Sequence, residues 1–452
     1  VYLGGNSLGP LARGVAERVT HTVAEEWGQE LLRAWNGAGW IELPRRAAGK
    51  LAPLLGAAPD EVAVTDSTSV DLFKLLLAAL RLCPGRGTVL APEGTFPTDL
   101  YVAGGAARLL GGELRIVPLP PPRAGAEAGP SDQRGATAVV GAALRGGPPP
   151  RAGAEAGPYD PRAEAGPYDP RAEAGPYDPR AEAGAHDPGT EALVVALAED
   201  VGVLLVSHVD FRSGARLDLP RLARAARGAG ALLLADLSHS AGALALELDA
   251  WGVDFAVGCG YKFLAGGPGA PAFLYVARRH QEAVASPIPG WLGHAEPFAF
   301  AADYRPAGGV DRFLCGTPPI LSLAALDATL DAFAGVDMAA AEEKAGRLGD
   351  LFLALVAERC AGLGIAPLSP PQAARRGAQV SLRHPRGFAV VQALIARGVL
   401  GDFREPDVLR FGLSPLTVRH ADVWDAVEAL REVLTSGEHQ RPQHARRRGV
   451  VT

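Results

Sequence analysis

Cysteine is scarce in this sequence, and the scarcity limits the kinds of site that the chain can build. The chain contains four cysteines, Cys83, Cys259, Cys315 and Cys360, and no two of them have C-x-x-C spacing. Their wide separation argues against both a zinc site and a disulfide framework. We therefore expect a reducing, cytoplasmic setting.

Long apolar runs and an excess of positive charge are also missing. No stretch approaches the roughly 18 apolar residues of a membrane helix, and the chain does not open with a charged segment followed by an apolar one, so neither a membrane span nor a signal peptide is indicated. The first residue is Val1, which leaves open whether an N-terminal piece precedes it. The formal net charge is −6 and the two signs are interspersed, so no basic face for nucleic acid is expected. A small molecule is the expected partner.

Alternating strands and helices are what the sequence does contain. Hydrophobic residues make up 48% of the 452, enough for a large core in more than one domain. Apolar runs such as "EVAVTD", "GTVLAP", "ELRIVPL", "VGVLLVS", "ALLLAD" and "DFAVGC" alternate with stretches of helical periodicity, among them residues 15–34 and 45–56. This order predicts an α/β fold with a mostly parallel sheet. After residue 320 the pattern is mainly helical, with short strands near "AQVSLRH" and "VLRFGLSPL", and predicts a smaller α+β domain.

A repeat interrupts this alternation between about residues 120 and 190. The stretch "AEAGPYDPR" recurs with a period of nine residues and is rich in Pro, Gly and Ala. Such a composition has too few apolar side chains to offset the entropy of ordering, which predicts a disordered insertion within one α/β domain. A binding array for some partner is the alternative.

A hydroxyl-rich turn is the first candidate binding element. In "TDSTS", Ser67, Thr68 and Ser69 stand between a predicted strand and an apolar helix. Free backbone N–H groups and hydroxyls at a helix start suit a phosphate. An ordinary helix N-cap is the alternative.

Asp236 and His239 follow a wholly apolar predicted strand in "LLLADLSHSAG". Ligands of open α/β sheets bind at such strand ends. A carboxylate that emerges from a buried strand needs a partner to offset its desolvation, and a protonated heterocyclic nitrogen is a suitable one. The alternative is that Asp236 caps a helix and His239 is a satisfied core group.

Lys262 lies between Tyr261 and a glycine-rich turn in "GCGYKFLAGG", and it is one of four lysines in the chain. A lysine near the ligand end of a sheet can lose its proton by desolvation and form an imine with a carbonyl compound. A solvated loop lysine is the alternative for Lys262 taken alone. Together, however, a phosphate cradle, a carboxylate and a lysine are the anchors that pyridoxal 5′-phosphate requires.

Arg410, in "DVLRFGLSPL" of the predicted small domain, is a candidate for binding substrate. A guanidinium can hold an α-carboxylate through two parallel hydrogen bonds. A surface salt bridge is the alternative.

Several motifs together resemble the kynureninase family, from Tyr2 to about residue 435 apart from the insert. They are "YLGGNSLGP", "TDSTSVDLFK", "FPTDLY", "ADLSHSAG", "LDAWGVDFAVGCGYKFL", "GWLGH" and "CGTPPIL". The resemblance implies a fold-type I pyridoxal-phosphate-dependent transferase fold, whose large domain has a mostly parallel sheet of seven-stranded type. The implied order is an N-terminal segment (1–44) that joins the small domain, the large cofactor domain (45–290), the small domain (291–436) and a disordered basic tail (437–452).

Carried over by position, the resemblance gives each candidate residue a role. Lys262 would be the Schiff-base lysine, Asp236 the partner of the pyridine nitrogen, and Tyr261 a group for later proton transfers. The other implied cofactor-binding residues are Thr68 and Ser69 at the phosphate, Phe96 stacked on the ring, Pro97, Thr98, Asp99, Ser207, His239, Trp291 and Thr317. Arg410 would bind the substrate carboxylate, and Trp35 would shape the pocket for an aryl ketone. Ala265 departs from the family pattern, because the familiar lysine segment has a polar side chain there.

The resemblance implies hydrolysis of the Cβ–Cγ bond of L-kynurenine to anthranilate and L-alanine by a homodimer, with 3-hydroxykynurenine as a second candidate substrate. Another fold-type I enzyme, such as a cysteine desulfurase-like or class V aminotransferase protein, would also keep Asp236, His239 and Lys262. That alternative stays open, as does a non-catalytic remnant of the family.

Overall fold

A computed structural model describes residues 1–120 and 187–446 of the chain. The repeats predicted to form a disordered insert fall at 121–186 and lie outside the described residues, as do the last six residues, 447–452.

The larger of two sheets has seven strands in the order β1-β7-β6-β5-β4-β2-β3. Its strands are β1 (Val62–Thr65), β2 (Thr88–Pro92), β3 (Glu113–Val117), β4 (Val201–Ser207), β5 (Leu232–Asp236), β6 (Phe255–Cys259) and β7 (Ala272–Val276). Six run parallel, and β7 lies antiparallel between β1 and β6. The central strands are buried along their length, except for the half-buried last residue of β4, Ser207, as expected for a parallel sheet covered on both faces. The predicted α/β fold with a mostly parallel seven-stranded sheet is confirmed.

Helices cover this sheet on both faces. The α-helices up to residue 330 are α1 (Val15–His21), α2 (Ala34–Gly37), α3 (Leu43–Leu55), α4 (Thr68–Leu82), α5 (Pro97–Leu109), α6 (Pro188–Ala196), α7 (Leu219–Ala229), α8 (Leu248–Trp251), α9 (Arg278–Gln281) and α10 (Ile320–Leu330). Two apolar clusters result: α3, α7 and α10 pack on one face, and α4 and α5 pack on the other. Successive residues of β4 belong to different clusters, because successive side chains of a strand point to opposite faces. Leu204 packs in the cluster with α3, α7 and α10, and Leu205 packs in the cluster with α4 and α5.

The predicted helix over residues 15–34 is not continuous. It is α-helical only to His21, then continues as a π-helix, Thr22–Glu30, and a 3₁₀ turn, Leu31–Arg33. Glu26 explains the wider turns, because its buried carboxylate receives hydrogen bonds from Arg18 at 2.5 Å and from the Trp40 indole at 2.8 Å. The local helix adapts to a tertiary contact that periodicity does not reveal.

A smaller antiparallel sheet has the order β10-β11-β9-β8. Its strands are β8 (Ala366–Pro367), β9 (Gln379–Arg383), β10 (Asp402–Arg404) and β11 (Val408–Gly412), and its helices are α11 (Met338–Arg359), α12 (Gly387–Ala396), α13 (His420–Thr435) and α14 (Pro442–Ala445). The first residues of the chain join this unit, because Tyr2 pairs with Leu400 and Gly4 with Gly412. Leu3 is fully buried in its core.

Two further observations concern the ends of the small domain. Helix α10 packs in the apolar cluster of the large sheet, which argues for a boundary later than residue 290; that boundary stays a prediction. The chain after residue 437 was expected to be disordered, yet Glu438–Gln440 and Pro442–Ala445 form helical turns that bury His439 and His444. In the described parts of the chain, no helix is long and apolar enough to cross a membrane.

Candidate active site

The carboxyl ends of the central strands bring the candidate residues together. Ser207 ends β4 and Asp236 ends β5, and the two residues are paired in register. Strand β6 ends at Cys259, two residues before Tyr261. Because parallel strands share a carboxyl edge, residues distant in sequence meet there.

Lys262 contacts His239 at this edge. The Lys262 Nζ lies 3.1 Å from His239 Nε2. Burial, followed by the charge of Lys262, holds the pKa of His239 well below its usual value, so the imidazole is neutral. A neutral ring that accepts at Nε2 carries its proton on Nδ1, and Gln379 is a further hydrogen-bonding neighbour of this side chain. His239 therefore orients the lysine.

Asp99 and Asp236 form a carboxyl pair under the same edge. Both side chains are buried, and Asp236 Oδ1 accepts from the Ser238 N–H at 2.8 Å. Burial and the adjacent Asp236 raise the pKa of Asp99 to about 9, and the positive Lys262 opposes that rise. Asp99 is consequently protonated at neutral pH and hydrogen-bonded to the Asp236 carboxylate.

The "FPTD" segment carries Asp99 into the site. Helix α5 begins at Pro97, a residue suited to a first helical turn, so Thr98 and Asp99 fall in that turn. Phe96 precedes the helix, is 41% exposed, and has its ring centroid 6.0 Å from Lys262 Nζ. The Phe211 ring meets Phe96 edge-on at 5.2 Å. A half-exposed aromatic face thus stands beside the lysine.

Helix α4 begins at Thr68, directly after β1. Its N-cap residue, Ser67, makes no side-chain hydrogen bond to the helix, so an ordinary N-cap does not account for this turn. Strand β7 joins this turn to the lysine segment, because Ala272 is the register partner of both Thr65 and Cys259. Thr68 and Ser69 are the first two residues of this 15-residue helix, whose N-terminus lies on the same side of the sheet as Tyr261.

Arg410 is buried and already well bound. It makes two hydrogen bonds to Asp402, one of them at 2.6 Å, and donates to the Phe211 carbonyl at 2.5 Å and to Ser7 Oγ at 3.0 Å. Arg410 as a residue is 1% exposed, so the salt bridge that it makes with Asp402 is buried and the surface salt bridge is excluded. Its contacts link the small domain to the large one and to the first residues of the chain.

The glycine-rich opening motif packs directly on the lysine turn. The Gly9 N–H donates to the Tyr261 carbonyl at 2.8 Å. A Cβ on Gly9 would lie 2.3 Å from the Lys262 carbonyl oxygen and 2.4 Å from Ala265 Cα, so only glycine fits this approach. Ala265 itself has φ +55°, a left-handed conformation that Asn adopts more readily than Ala. The left-handed backbone at position 265 therefore explains why a polar residue such as Asn is expected there.

Three candidates lie away from this group. Trp35 packs edge-on against Trp40 at 5.8 Å, and Trp291 packs against Phe298 at 5.7 Å. Thr317 is exposed. Within the described residues, no hydrogen bond or ring contact joins these three side chains to Lys262.

Unpartnered polar atoms give a test of the cofactor that the sequence predicts. Ser207 Oγ and Asp99 Oδ2 are buried without a hydrogen-bond partner in the described residues. Buried polar atoms normally have partners, so these groups fit a polar heterocycle between them. The carboxyl pair, the lysine, the exposed Phe96 face and the free helix start match the donor set that pyridoxal phosphate needs.

Sequence reasoning missed several residues that the structure brings to the site. Ser7, Asp402, Arg404 and Phe211 contact Arg410 or lie beside it. A signal for two of them was present, because Asp402 and Arg404 alternate with an apolar residue in "DFR" and so share one face of a short strand.

Comparison with known proteins agrees with this geometry. A kynureninase of Burkholderia mallei is 41% identical over 457 aligned residues that cover 100% of this chain and 93% of the relative. A kynureninase of Deinococcus radiodurans is 43% identical over 440 residues, covering 96% and 90%. The chain belongs to the kynureninase family. The family model for the kynureninase C-terminal domain matches residues 341–430, which include α12, β9, β10 and β11. Kynureninases are pyridoxal-phosphate-dependent hydrolases, so the predicted cofactor and enzyme class are confirmed.

Solved structures of low sequence identity are similar to this kynureninase-family chain in fold alone. A cystine C-S lyase in complex with cysteine persulfide has a TM-score of 0.69 at 18% identity and covers 95% of this chain and 97% of its own. A cysteine desulfurase from Thermococcus onnurineus has a TM-score of 0.68 at 15% identity, covering 96% and 95%. The fold-type I architecture is therefore shared with enzymes of other activities.

Proposed function

We propose that the protein hydrolyses L-kynurenine to anthranilate and L-alanine, and 3-hydroxykynurenine to 3-hydroxyanthranilate and L-alanine, within tryptophan degradation and NAD biosynthesis. The observation that carries the proposal is Lys262 held against a neutral His239 beside the Asp99–Asp236 pair. It stands in a chain that is 41% identical over its whole length to a relative named kynureninase.

The residues that would hold pyridoxal phosphate surround Lys262. Asp236, with a protonated Asp99 behind it, would hold the proton of the ring nitrogen, and Phe96 would lie on the ring face. Ser207 offers an unpartnered hydroxyl for a ring substituent. Thr68 and Ser69 at the start of α4 would receive the phosphate. When bound, the cofactor supplies a sink for the negative charge that develops on the substrate carbons.

Lys262 is the group placed to move the proton from Cα. The contact with His239 Nε2 fixes the direction of its Nζ, and the neutral imidazole adds no positive charge that would repel a protonated amine. A base that is oriented before substrate arrives loses less entropy in the transition state.

Tyr261 is the group placed to return a proton. Burial raises the pKa of its phenol above the ordinary value, so Tyr261 keeps its proton at neutral pH. In the proposed hydrolysis, water adds to the γ-carbonyl and the Cβ–Cγ bond breaks, which leaves an electron pair on Cβ. Tyr261 then protonates Cβ and recovers a proton from the hydrated carbonyl, which leaves as anthranilate, and Lys262 returns to Cα the proton that it removed, which yields L-alanine.

A homodimer would bring the distant candidates to the site. Several large apolar side chains are exposed near them, namely Leu11, Val23, Trp27, Leu31, Leu32, Phe298 and Phe300. Exposed apolar surface of this extent supports burial against a second copy. In that arrangement Trp291, Thr317 and Trp35 of one protomer would serve the neighbouring site. The four unpaired thiols support a cytoplasmic location for the dimer.

The test is anthranilate fluorescence after incubation of the holoenzyme with L-kynurenine. We expect anthranilate and L-alanine in equal amounts from the wild type and no product from Lys262→Ala. Circular dichroism and the absorbance of added cofactor would check that this variant is folded. L-cysteine is the matched alternative substrate. Sulfide release from L-cysteine without anthranilate from either kynurenine would overturn the proposal in favour of a desulfurase activity. A protein that binds no cofactor would indicate a non-catalytic remnant.

A further inference from the structure

Lys74 lies in the motif "TDSTSVDLFK", and the proposed mechanism gives it no role. Its side chain is fully buried on helix α4, whose other buried residues include Leu72, Leu75 and Leu76. Burying an ammonium is costly, and an apolar residue of similar volume often stabilises a core at least as well. Packing alone therefore does not account for a lysine at this position.

All three N–H donors of Lys74 have partners. Its Nζ donates to the Asp66 carboxylate, to Asp71 Oδ1 at 3.5 Å and to the Phe313 carbonyl at 2.7 Å. Burial opposes the charge on Lys74, but the carboxylates of Asp71 and Asp66 raise its pKa above the ordinary value, so the amine keeps its proton. Two partners lie 8 and 3 residues away along the chain and the third lies 239 residues away, so Lys74 joins a local turn to a remote segment.

Asp66 is the first residue of the turn that leads into α4, the phosphate turn (residues 66–69). Its φ is +41°, a left-handed conformation that a residue other than glycine adopts at a cost. Asp66 Oδ2 also accepts from Thr65 Oγ1 at 3.0 Å, and the Asp66 carbonyl accepts from the Ala272 N–H at 3.1 Å. The ion pair with Lys74 therefore stabilises a strained residue directly before the backbone that would receive the phosphate.

The remote partner, Phe313, lies in a unit of two packed segments, residues 290–292 and 313–317, which we call the paired unit. A Cβ on Gly290 would lie 2.2 Å from the Cys315 carbonyl oxygen, so the two backbones are in direct contact. Because the Phe313 carbonyl is bound to the Lys74 ammonium, the position of the whole paired unit depends on that contact.

The paired unit carries Trp291 and Thr317, two residues that the family resemblance assigns to the cofactor. In the proposed dimer these residues would serve the neighbouring site. Each site would then combine the phosphate turn of one protomer with the paired unit of the other, and a Lys74 would hold each of these parts. Loss of Lys74 from both protomers would remove both supports from every site.

We propose that Lys74 is a positioning residue for the cofactor phosphate: it fixes the phosphate turn through Asp66 and the paired unit through Phe313. This inference rests on the proposed function, because it concerns the phosphate end of the same site. Lys74 itself does not touch the cofactor in this arrangement and acts through the backbone on either side of it. Its loss should therefore weaken binding of the phosphate group and leave binding of the pyridine ring unchanged.

The experiment compares pyridoxal phosphate with pyridoxal, which lacks only the phosphate. Each is titrated into the full-length apoprotein, and the change in absorbance gives its dissociation constant. In Lys74→Met we expect the constant for pyridoxal phosphate to rise about 10- to 100-fold, the range expected for the loss of one hydrogen bond to a charged group. The constant for pyridoxal should stay within about twofold.

Asp66→Asn is a second variant, because Lys74→Met also leaves buried polar groups without their partner and should lower the melting temperature. Asn tolerates a left-handed backbone and removes only the charge, so Asp66→Asn should melt near the wild type. It should weaken binding of pyridoxal phosphate by a smaller factor than Lys74→Met, since the contact with Phe313 remains. In the double variant the two losses should be less than additive, because both changes break the same ion pair.

Lys50→Met is the matched control, because Lys50 also binds two aspartates and a backbone carbonyl. On α3, its Nζ lies 3.0 Å from Asp327 Oδ1 and 2.7 Å from Asp331 Oδ1, and it donates to the Asp327 carbonyl at 3.0 Å. Lys50→Met should lower the melting temperature and leave the ratio of the two dissociation constants as in the wild type.

The outcomes separate positioning of the phosphate from a purely structural role. An equal loss for pyridoxal and pyridoxal phosphate in Lys74→Met would overturn the inference, as would fully additive losses in the double variant. If Lys74→Met does not fold, an unchanged constant for pyridoxal phosphate in Asp66→Asn would overturn it. A selective loss for pyridoxal phosphate in Lys74→Met, with no anthranilate formed by the wild type, would reject the proposed hydrolysis and leave the role of Lys74 standing.

Discussion

Gly9 provides a sharp test of how the opening motif supports the lysine turn. In Gly9→Ala, the new Cβ would lie 2.3 Å from the Lys262 carbonyl oxygen, 2.4 Å from Ala265 Cα and 2.5 Å from Ala265 Cβ. Contacts below about 3 Å do not occur, and two of these three atoms are backbone, so the turn must move. Overpacking costs about 1–3 kcal/mol, and a rigid backbone neighbour places Gly9→Ala near the upper end.

The measurement is urea unfolding of the apoprotein together with titration by pyridoxal phosphate. We expect a loss of about 3 kcal/mol in the free energy of unfolding and weaker cofactor binding, because the displaced turn contains Lys262. Gly105→Ala is the matched control: it lies within α5, its Cβ would meet no atom within 4 Å, and it should gain about 0.5–1 kcal/mol. Wild-type stability and cofactor affinity in Gly9→Ala would refute the reasoning.

Two further predictions concern residues next to this turn. The pKa of Asp99 is raised to about 9 from 3.8, so the folded protein keeps a proton that the unfolded chain releases above about pH 4. The stability of the apoprotein should therefore fall as the pH rises from about 4 toward 9. Asp99→Asn should remove that decline. Urea unfolding midpoints of the wild type and of Asp99→Asn at pH 5 and 8.5 measure this decline. An equal pH dependence in the two proteins would contradict the prediction. Ala265→Gly relieves a left-handed alanine and should raise the melting temperature, with a gain of up to about 1 kcal/mol; an unchanged or lower melting temperature would count against strain at this turn.

The central strands were predictable because their composition and their position agree. Each is an apolar run that ends in a polar or small residue, so sequence located both the strand and the residue at its carboxyl end, as with Ser207 and Asp236. The order of the strands was not predictable. A buried strand has the same apolar sequence pattern whichever strands lie beside it. The sequence of β7 therefore does not indicate that this strand runs antiparallel between β1 and β6.

The limits at the site have a similar cause. Lys262, Asp236 and His239 were found because their residue types are unusual at the ends of apolar runs. The partners of Arg410 were missed because they come from residue 7, residue 211 and residue 402, and no local pattern relates such distant positions. The break in the first helix is also tertiary in origin, since Glu26 is held by Trp40.

The pairing of the first residues with the small domain has a consequence for protein synthesis. Leu3 donates to the Leu400 carbonyl, and the Gly412 N–H donates to the Leu3 carbonyl. Leu3 is therefore synthesised long before its partners Leu400 and Gly412, and the segment that carries Gly9 is anchored at this end only once those partners exist. The cofactor domain can collapse early, whereas a competent site should appear only near the end of translation. A ribosome stalled before residue 400 should hold a chain that has its central strands and not its finished lysine pocket.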